Sequence, residues 1–334
     1  MLPLPDLDEL IAATHVVVLP MRVRFRGIVA REILLLDGPR GWSEFSPFTE
    51  YDDAESARWL AAAIEAGWQG FPEPRRTLIP VNATVPAVPA VRVPEILASF
   101  DTTVAVKVKV AEPGQTLDDD VARVSAVRAA LPAAAIRVDA NGGWSVAQAV
   151  PALTRLADFE LEYAEQPVPD IAALAAVRRT LAARRVPVLI AADESVRKET
   201  DPLAVARAGA ADLIIIKVAP LRGVRRALKI VAAAGLPAVV SSALDSSVGI
   251  RAGVALAAAL PELPYACGLG TVSLFAGDVV RDPLVAAGGH IAVRDVAAEP
   301  DLLERYAVSG QRRAWWLERL RRSHAVLAAE ARGE

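Results

Sequence analysis

Between residues 80 and 270 the chain alternates two kinds of segment about eight times. Short apolar runs of strand length are separated by Ala-rich segments whose apolar residues follow a helical period. The runs are "PVNATVPA" (80–87), "TVAVKVKV" (103–110), "AIRVDA" (135–140), "FELEYAEQP" (159–167), "PVLIAADES" (187–195), "LIIIKV" (213–218), "PAVVSSA" (237–243) and "YACGLG" (265–270). About eight strand–helix units of this length predict an α/β barrel.

An open, doubly wound sheet is the structural alternative to a barrel. Such a sheet usually carries a Gly-rich phosphate turn after its first strand, and no G-x-G-x-x-G follows a strand here. Single residues mark where individual helices begin and end. Helices are expected to begin at the N-cap positions Ser145, Asp170 and Asp201. Gly235 stands where a helix should end.

The two ends of the chain lie outside this repeat. Residues 1–79 contain a hairpin or meander pattern with "DGPRG" (37–41) as a turn, followed by a helical pattern over 52–68. Residues 291–334 return to a polar helix in which Trp315 and Trp316 are expected to dock against the rest of the molecule. We therefore expect an α+β unit over 1–79, a barrel over 80–290, and a separate C-terminal segment over 291–334.

Lysine is rare in this chain and is concentrated in the apolar runs. Only five of the 37 basic residues are lysines, and three of these, Lys107, Lys109 and Lys217, lie in strand-like sequence. Because side chains alternate along a strand, Lys107 and Lys109 point to the same face. Unlike arginine, lysine can lose its proton when it is desolvated or crowded by cations, so it suits a base. For any single strand lysine, an edge position with the ammonium group in water is the commoner explanation.

Acidic residues end three successive runs. Asp139, Glu165 and Asp193 follow one another at one strand plus one helix, and the same step leads from Lys109 to Asp139 and from Asp193 to Lys217. The carboxyl ends of barrel strands meet at one mouth, where the active sites of this architecture lie. Three carboxylates there would repel one another without a cation, and hard oxygen ligands suit Mg²⁺ or Mn²⁺. For each acid alone the alternative is a helix N-cap or a loop salt bridge, and Asp139 in "VDANGG" would be explained equally well as a turn residue.

The run around Glu165 contains one conflict with simple alternation. Glu160 and Glu162 fall on the strand face opposite Glu165, where helices should cover them. We therefore expect a bulge in this strand or an exposed beginning.

Taken together, K-x-K, "DANGGW", "YAEQP", "ADES" and "IIIKV" resemble the enolase superfamily in its muconate-lactonising branch. This resemblance covers nearly the whole chain. It implies a modified (β/α)7β TIM-type barrel with an α+β capping domain built from both chain ends. Four further stretches, "PVNATVPA", "GWSEFSPFTEY", "VVSSALDSSVGI" and "LPYACGLGT", resemble the actinobacterial o-succinylbenzoate synthase family.

The resemblance also implies a reaction and a set of roles. The expected reaction is the dehydration of 2-succinyl-6-hydroxy-2,4-cyclohexadiene-1-carboxylate to 2-succinylbenzoate in menaquinone biosynthesis. Asp139, Glu165 and Asp193 would hold Mg²⁺, for which Mn²⁺ can substitute. Lys109 would be the general acid and base, with Lys107 assisting it. Lys217 would lie on the opposite face of the substrate.

Substrate contacts are expected from two regions. Ser241, Ser242 and Leu244 follow the seventh run and should line the mouth of the barrel. Arg26 and Gly27 lie in a polar turn of the N-terminal unit, where a lid could reach the succinyl tail; an exposed hairpin arginine would explain Arg26 equally well.

Three alternative functions stay open at this point. Lysines on both faces of a substrate also fit an N-succinylamino acid racemase or a dipeptide epimerase, and one site could perform both reactions. A Schiff-base aldolase would use Lys217 as its nucleophile but would not need three acids. An inactive ligand-binding barrel gives no reason to keep those acids.

Composition limits partners and compartment. A net charge of −3 leaves no electrostatic footprint for nucleic acid, and no apolar run reaches the length of a membrane span. The single cysteine, Cys267, cannot form an internal disulfide and is expected to be a buried apolar side chain. We therefore expect a cytoplasmic enzyme acting on a small carboxylate. The sequence does not indicate an oligomeric state.

Overall fold

Two sheets organise the computed structural model, which describes residues 4–25, 27–100, 103–196 and 201–333. The first sheet is antiparallel, with the strands β1 (Thr14–Phe25), β2 (Ile28–Gly38) and β3 (Gly41–Phe45) in chain order. Gly38 pairs with Gly41, so the chain reverses within the segment 37–41, which confirms the predicted turn. Helix α1 (Leu7–Ala12) precedes this sheet.

Helix α2 (Asp53–Ile64) follows the sheet, and Asp52 caps it by accepting a hydrogen bond of 2.7 Å from the Glu55 N–H. The helix continues into a wider turn over Glu65–Gln69. This segment confirms the helical pattern over 52–68.

The second sheet is parallel, and its seven strands are hydrogen-bonded in chain order. They are β5 (Ala83–Val85), β6 (Ala105–Lys109), β7 (Ala135–Asp139), β8 (Leu161–Glu165), β9 (Ile190–Ala192), β10 (Leu213–Ile216) and β11 (Ala238–Val240). The segment around Cys267 joins the two edges, because Cys267 bridges to Val81 and Gly268 bridges to Ser241, both in parallel. The eighth predicted run therefore closes the sheet into a barrel.

Helices cover the outside of this barrel. They are α3 (Val93–Leu97), α4 (Leu117–Ala130), α5 (Val146–Leu156), α6 (Ile171–Ala183), α7 (Asp201–Arg207), α8 (Val224–Ala234) and α9 (Ser247–Ala259). Ser145 caps α5 and Asp170 caps α6, as predicted, while Gly235 ends α8 with a left-handed φ of 64°. Within the described residues, no helix combines the length and the hydrophobicity that crossing a membrane requires.

A buried arginine ties the inside of the barrel together. Arg137 of β7 donates hydrogen bonds to Tyr163 Oη (3.0 Å), Asn82 Oδ1 (3.3 Å) and the Ala266 carbonyl (2.6 Å). These contacts join neighbouring strands to the closing segment. Arg137 also pairs with Glu162, which is possible because the β7–β8 register shifts between Ile136 and Arg137. This irregularity confirms the expected bulge.

The C-terminal part of the chain returns to the N-terminal unit. Strand β12 (His290–Ala292) pairs with β4 (Leu78–Pro80), and helices α10 (Pro300–Arg305) and α11 (Gly310–Arg332) follow. Helix α11 packs on α2, and the buried Trp316 donates a hydrogen bond of 2.7 Å from Nε1 to Glu32 on β2. The boundaries at 79/80 and 290/291 stay a prediction.

Candidate active site

Strand register places three of the predicted residues at one level of the barrel. Lys109 of β6 pairs with Asp139 of β7, and Asp139 pairs with Glu165 of β8. Lys107 lies two residues deeper on the same face of β6, level with Arg137. Alternation along β6 therefore does what the sequence predicted, because both ammonium groups reach the same carboxylate, that of Asp139.

The lysines and carboxylates form one network of ion pairs. Lys107 Nζ lies 3.0 Å from Glu165 Oε1 and 3.1 Å from Asp139 Oδ2. Lys109 Nζ lies 2.5 Å from the same Asp139 oxygen, and Lys217 pairs with Asp193. The side chains of Asp139 and Glu165 are each only 1% exposed, so their charges are almost completely removed from water.

Burial and mutual repulsion perturb these groups in different directions. Burial, followed by the charge of Asp139, raises the pKa of Glu165 to about 8 despite the nearby Lys107. Burial also disfavours the ionised form of Asp139, but Lys109 and Lys107 outweigh it and lower the pKa of that carboxyl group. For Lys107, burial favours the neutral amine, yet Glu165 and Asp139 together raise its pKa well above the ordinary value. Burial of this much carboxylate charge would be strongly unfavourable without positive charge nearby.

This donor set fits a hard divalent cation. Three carboxylates supply only oxygen donors, and the raised pKa of Glu165 shows that its negative charge is not fully compensated. In this arrangement the ammonium groups lie at the carboxylate oxygens, and within the described residues no three His, Cys, Asp or Glu side chains are already positioned to share a metal ion. Metal binding would therefore require Lys107, Lys109 and Lys217 to withdraw from the carboxylate oxygens that they contact.

Asn141 belongs to the network of lysines and carboxylates. It had no role in the sequence analysis beyond its place in the "DANGGW" motif. Its Oδ1 accepts a hydrogen bond of 2.7 Å from Lys109 Nζ, and its Nδ2 donates one of 3.1 Å to Glu194 Oε1. Its backbone N–H also donates to Asp139 Oδ1 at 3.0 Å. Asn141 has a φ of 45°, a left-handed conformation that asparagine tolerates better than most residues. The only indication of Asn141 in the sequence was its position in the "DANGGW" motif.

Gln166 is the second residue that sequence reasoning missed. Its buried side chain accepts hydrogen bonds from the Asp193 N–H (2.9 Å) and the Ser195 N–H (3.2 Å). Its Nε2 donates to the Val168 carbonyl and to Ser195 Oγ, both at 2.8 Å. Since Gln166 directly follows Glu165, it fixes the loop carrying Asp193 relative to the strand carrying Glu165.

The N-terminal unit closes over the Lys217 side of the barrel. A cavity of about 30 Å³ lies between them, lined by Lys217 and Ser241 from the barrel and by Ser43, Glu44 and Trp59 from the N-terminal unit. The side-chain polar atoms of Ser43 and Trp59 are buried and have no hydrogen-bond partner in the described part of the chain. A polar space of this size can hold a water molecule.

Glu44 links the two units at this cavity. Its carboxylate accepts hydrogen bonds from the Ser246 N–H (3.1 Å), Ser246 Oγ (2.5 Å) and the Gly249 N–H (3.2 Å) at the start of α9. Burial and the charge of Asp245 nevertheless raise its pKa to about 7. Glu44 therefore acts as an N-cap supplied by a distant strand.

The predicted substrate contacts fall in different settings. Ser241 lines the cavity beside Lys217, while Ser242 Oγ lies 2.8 Å from Thr271 Oγ1. The Leu244 side chain is buried, and its carbonyl accepts a hydrogen bond of 3.2 Å from Arg31 Nε. Gly27 is exposed in the turn between β1 and β2, and Arg26 lies outside the described residues.

Two family profiles match this chain. The one described as enolase N-terminal domain-like matches residues 16–67, and the one described as enolase C-terminal domain-like matches residues 97–298. The second match alone covers more than half of the chain.

Curated relatives match over nearly the full length. An o-succinylbenzoate synthase from Mycolicibacterium smegmatis is 55% identical over 97% of this chain and 98% of its own. That of Mycobacterium leprae is 54% identical over 97% of this chain and 95% of its own. That of Mycobacterium tuberculosis strain H37Ra is 53% identical over 97% of both chains.

Solved structures agree on the fold. The muconate lactonizing enzyme of Pseudomonas fluorescens in complex with muconolactone superposes with a TM-score of 0.76 at 22% identity, over 88% of this chain and 98% of its own. A probable mandelate racemase from Alicyclobacillus acidocaldarius gives a TM-score of 0.69 at 26% identity, over 89% of this chain and 96% of its own. Both likenesses confirm a modified TIM barrel with a capping domain.

Proposed function

This chain belongs to the o-succinylbenzoate synthase family of the enolase superfamily, and from this premise we propose which of its residues perform the reaction. The family assignment made from the sequence motifs is confirmed. The enzyme is a lyase of menaquinone biosynthesis that dehydrates 2-succinyl-6-hydroxy-2,4-cyclohexadiene-1-carboxylate to 2-succinylbenzoate. Superfamily membership supports a divalent metal cofactor.

Asp139, Glu165 and Asp193 are the proposed ligands of that metal, and Mg²⁺ is the proposed ion, with Mn²⁺ as a substitute. Their oxygen donors and their buried, mutually repelling charges support the assignment. A divalent cation bound there supplies electrostatic stabilisation to the negative charge that develops on the substrate carboxylate.

Lys109 is the proposed general acid and base. As a neutral amine, its Nζ takes the proton from the carbon that bears the carboxylate, and the C–H electron pair enters the enediolate. The bond from the neighbouring ring carbon to its hydroxyl group then breaks. The resulting ammonium group of Lys109 returns the proton to the departing hydroxide, which leaves as water, and the ring becomes aromatic. Such a positioned proton-transfer group typically contributes a factor of about 10²–10⁴ in rate.

The other two lysines stabilise charge in this proposal. Lys107 contacts the same Asp139 oxygen as Lys109, so it orients the carboxylate that Lys109 must leave when it reaches the substrate. Lys217 approaches from β10, on the other side of the carboxylates from β6, where a charged amine stabilises the enediolate. Asn141 holds Lys109 Nζ from a third direction and therefore positions it.

The convergence of Lys109, Asp139 and Glu165 at one level of the barrel carries this assignment. The test is product formation from the cyclohexadiene substrate with Mg²⁺, with EDTA, and with EDTA followed by excess Mg²⁺ or Mn²⁺. We expect activity that chelation abolishes and either ion restores. Turnover that persists in EDTA would contradict the metal assignment.

Racemisation of N-succinylamino acids, or epimerisation of dipeptides, is a second candidate activity of the same site. Lys109 ends β6 and Lys217 follows β10, so the two amines approach the carboxylates from separate sides, as a two-base racemisation needs. Exchange of the α-proton of an N-succinylamino acid with deuterium in D₂O would support this activity. Absence of exchange under conditions of rapid dehydration would reject it.

The remaining assignments extend the proposal. Residues 1–79 and 291–334 form the capping domain and residues 80–290 form the catalytic barrel. Ser241, Ser242, Leu244, Arg26 and Gly27 contact the substrate. The enzyme works in the cytoplasm, where the buried thiol of Cys267 stays reduced.

A further inference from the structure

A second pocket, of about 530 Å³, opens on the surface beside helix α9. It is bounded by the turn between β2 and β3, by the segment 69–74, by one side of α9, and by residues 293–295. None of the proposed catalytic or metal-binding residues lines it. The pocket is therefore distinct from the proposed catalytic site.

Arg251 of α9 lies in the wall of this pocket, and its guanidinium group is buried with few partners. Its side chain is only 6% exposed, yet its Nε has no hydrogen-bond partner in the part of the chain that the structure describes. Its ion pair is a long one, 3.5 Å from Nη1 to Asp295 Oδ1, and the Asp295 side chain is 94% exposed. The Nε–H group of Arg251 is therefore a buried donor that a bound acceptor would satisfy.

The charges around the pocket leave Arg251 available to an anion. Arg294 is occupied by Asp282, at 2.9 Å, and by the carbonyl oxygens of Asp282 and Pro283. Arg40 also lines the pocket, and its side chain makes no hydrogen bond or ion pair among the described residues. Two acids, Glu73 and Asp295, share the lining and keep the pocket from being strongly cationic.

Apolar side chains form part of the remaining wall. Phe71, Pro72 and Val293 line the pocket, and the Arg251 guanidinium lies 4.8 Å from the centre of the Phe71 ring. The volume is far larger than an inorganic ion needs. A planar guanidinium binds a carboxylate through two parallel hydrogen bonds.

From these features we propose that the pocket is a second binding site for a small organic carboxylate. The carboxylate group binds Arg251, with Arg40 as the outer cation, and the apolar part of the ligand packs against Phe71 and Val293.

Calorimetric titration of the Mg²⁺-loaded enzyme with benzoate tests the proposal. Arg251→Met removes the guanidinium, and Arg313→Met, at an exposed position of α11, is the matched control. We expect benzoate to bind the wild type and the control alike, and Arg251→Met to bind it about tenfold more weakly or not at all. Benzoate bound in the catalytic barrel would contribute equally to all three proteins. The kcat and KM of the dehydration should be unchanged in Arg251→Met.

Equal benzoate affinity in Arg251→Met and wild type would overturn the proposal. Saturable binding of inorganic phosphate without binding of benzoate would also overturn the proposal, because the apolar side chains of the pocket would then contact no ligand. If Arg251→Met fails to fold, Arg40→Met serves instead, since Arg40 is exposed, and the same loss of benzoate binding is expected.

Discussion

Lys107 reaches across a whole strand to Glu165. Lys107 belongs to β6 and Glu165 to β8, yet Lys107 Nζ lies 3.0 Å from Glu165 Oε1 and 3.1 Å from Asp139 Oδ2 on the intervening strand β7. The deeper lysine thereby contacts two carboxylates, while Lys109 lies one level nearer the mouth of the barrel. This difference in depth supports the proposed proton transfer by Lys109 and the proposed supporting role of Lys107.

Replacement of Lys109 by alanine should abolish proton transfer without disturbing the fold. We expect kcat for the dehydration to fall by about 10²–10⁴-fold, the usual contribution of a positioned acid–base group. Steady-state kinetics measure the loss, and circular dichroism checks the fold. Lys229→Ala, at an exposed site on α8, should retain wild-type turnover. A Lys109→Ala enzyme with unchanged kcat would remove Lys109 from the mechanism.

Replacement of Gln166 by leucine should weaken metal binding. The leucine cannot accept from the Asp193 and Ser195 N–H groups, so the loop that carries Asp193 loses its connection to β8. Outer-shell partners of metal ligands typically contribute about 10–100-fold in affinity, and we expect a loss in that range for Mg²⁺ by calorimetry.

A purely structural role for Gln166 would lower thermal stability but leave the Mg²⁺ affinity of the folded protein unchanged, which would contradict this prediction. Excess Mg²⁺ should recover part of the activity of Gln166→Leu. Gln311→Leu, at an exposed position of α11, provides the comparison.

The titration of Glu44 should make the enzyme less stable as the pH rises toward neutrality. Its folded pKa of about 7 is above the ordinary value of 4.5, because burial and Asp245 outweigh Ser246, Ser46 and Arg31. The folded state therefore holds a proton that the unfolded state has released, and stability falls between about pH 4.5 and pH 7. The loss is on the order of 3 kcal/mol.

Glu44→Gln removes this titration. The stability of the variant relative to wild type should therefore increase from pH 5 to pH 8. Urea unfolding at several pH values measures it, with Glu304→Gln as an exposed control. A difference between Glu44→Gln and wild type that does not change with pH would show that Glu44 is ionised throughout.

Replacement of Arg319 by alanine should loosen α11. The buried Arg319 guanidinium donates hydrogen bonds to the Phe48 carbonyl (2.7 Å), the Tyr51 carbonyl (2.8 Å) and Ser56 Oγ (2.8 Å). Loss of these bonds leaves buried acceptors without donors, and we expect a cost of about 2–4 kcal/mol. Chemical unfolding measures this, and Arg313→Ala should change stability by less than about 0.5 kcal/mol. Equal stabilities of the two variants would contradict the prediction.

The sequence was most informative where one strand could be interpreted by itself. Alternation in β6 placed Lys107 and Lys109 on one face, and the strand–helix period placed Asp139 and Glu165 at the same mouth. The bulge in β8 was also predictable, because Glu162 could not remain under helices.

The features that were not predicted depend on contacts between distant segments. Arg137 looks like an unsuitable residue in an apolar strand until Asn82, directly before β5, and Ala266, in the closing segment, supply its acceptors. Gln166 lies in the "YAEQP" motif, but its role could not be predicted from it, because that role comes from backbone N–H groups 27 and 29 residues later. The cap supplied by Glu44 to α9 spans 202 residues, far beyond any local capping rule.

The hydrogen bond from Trp316 to Glu32 joins residues 284 positions apart. A ribosome adding about 5–20 residues per second needs roughly 15–60 s to make the second partner after the first. During that interval β2 has emerged without the helix that covers its outer acid, while the whole barrel sequence is being completed. The packing of α11 on the N-terminal unit can therefore be completed only after the whole barrel sequence has been synthesised.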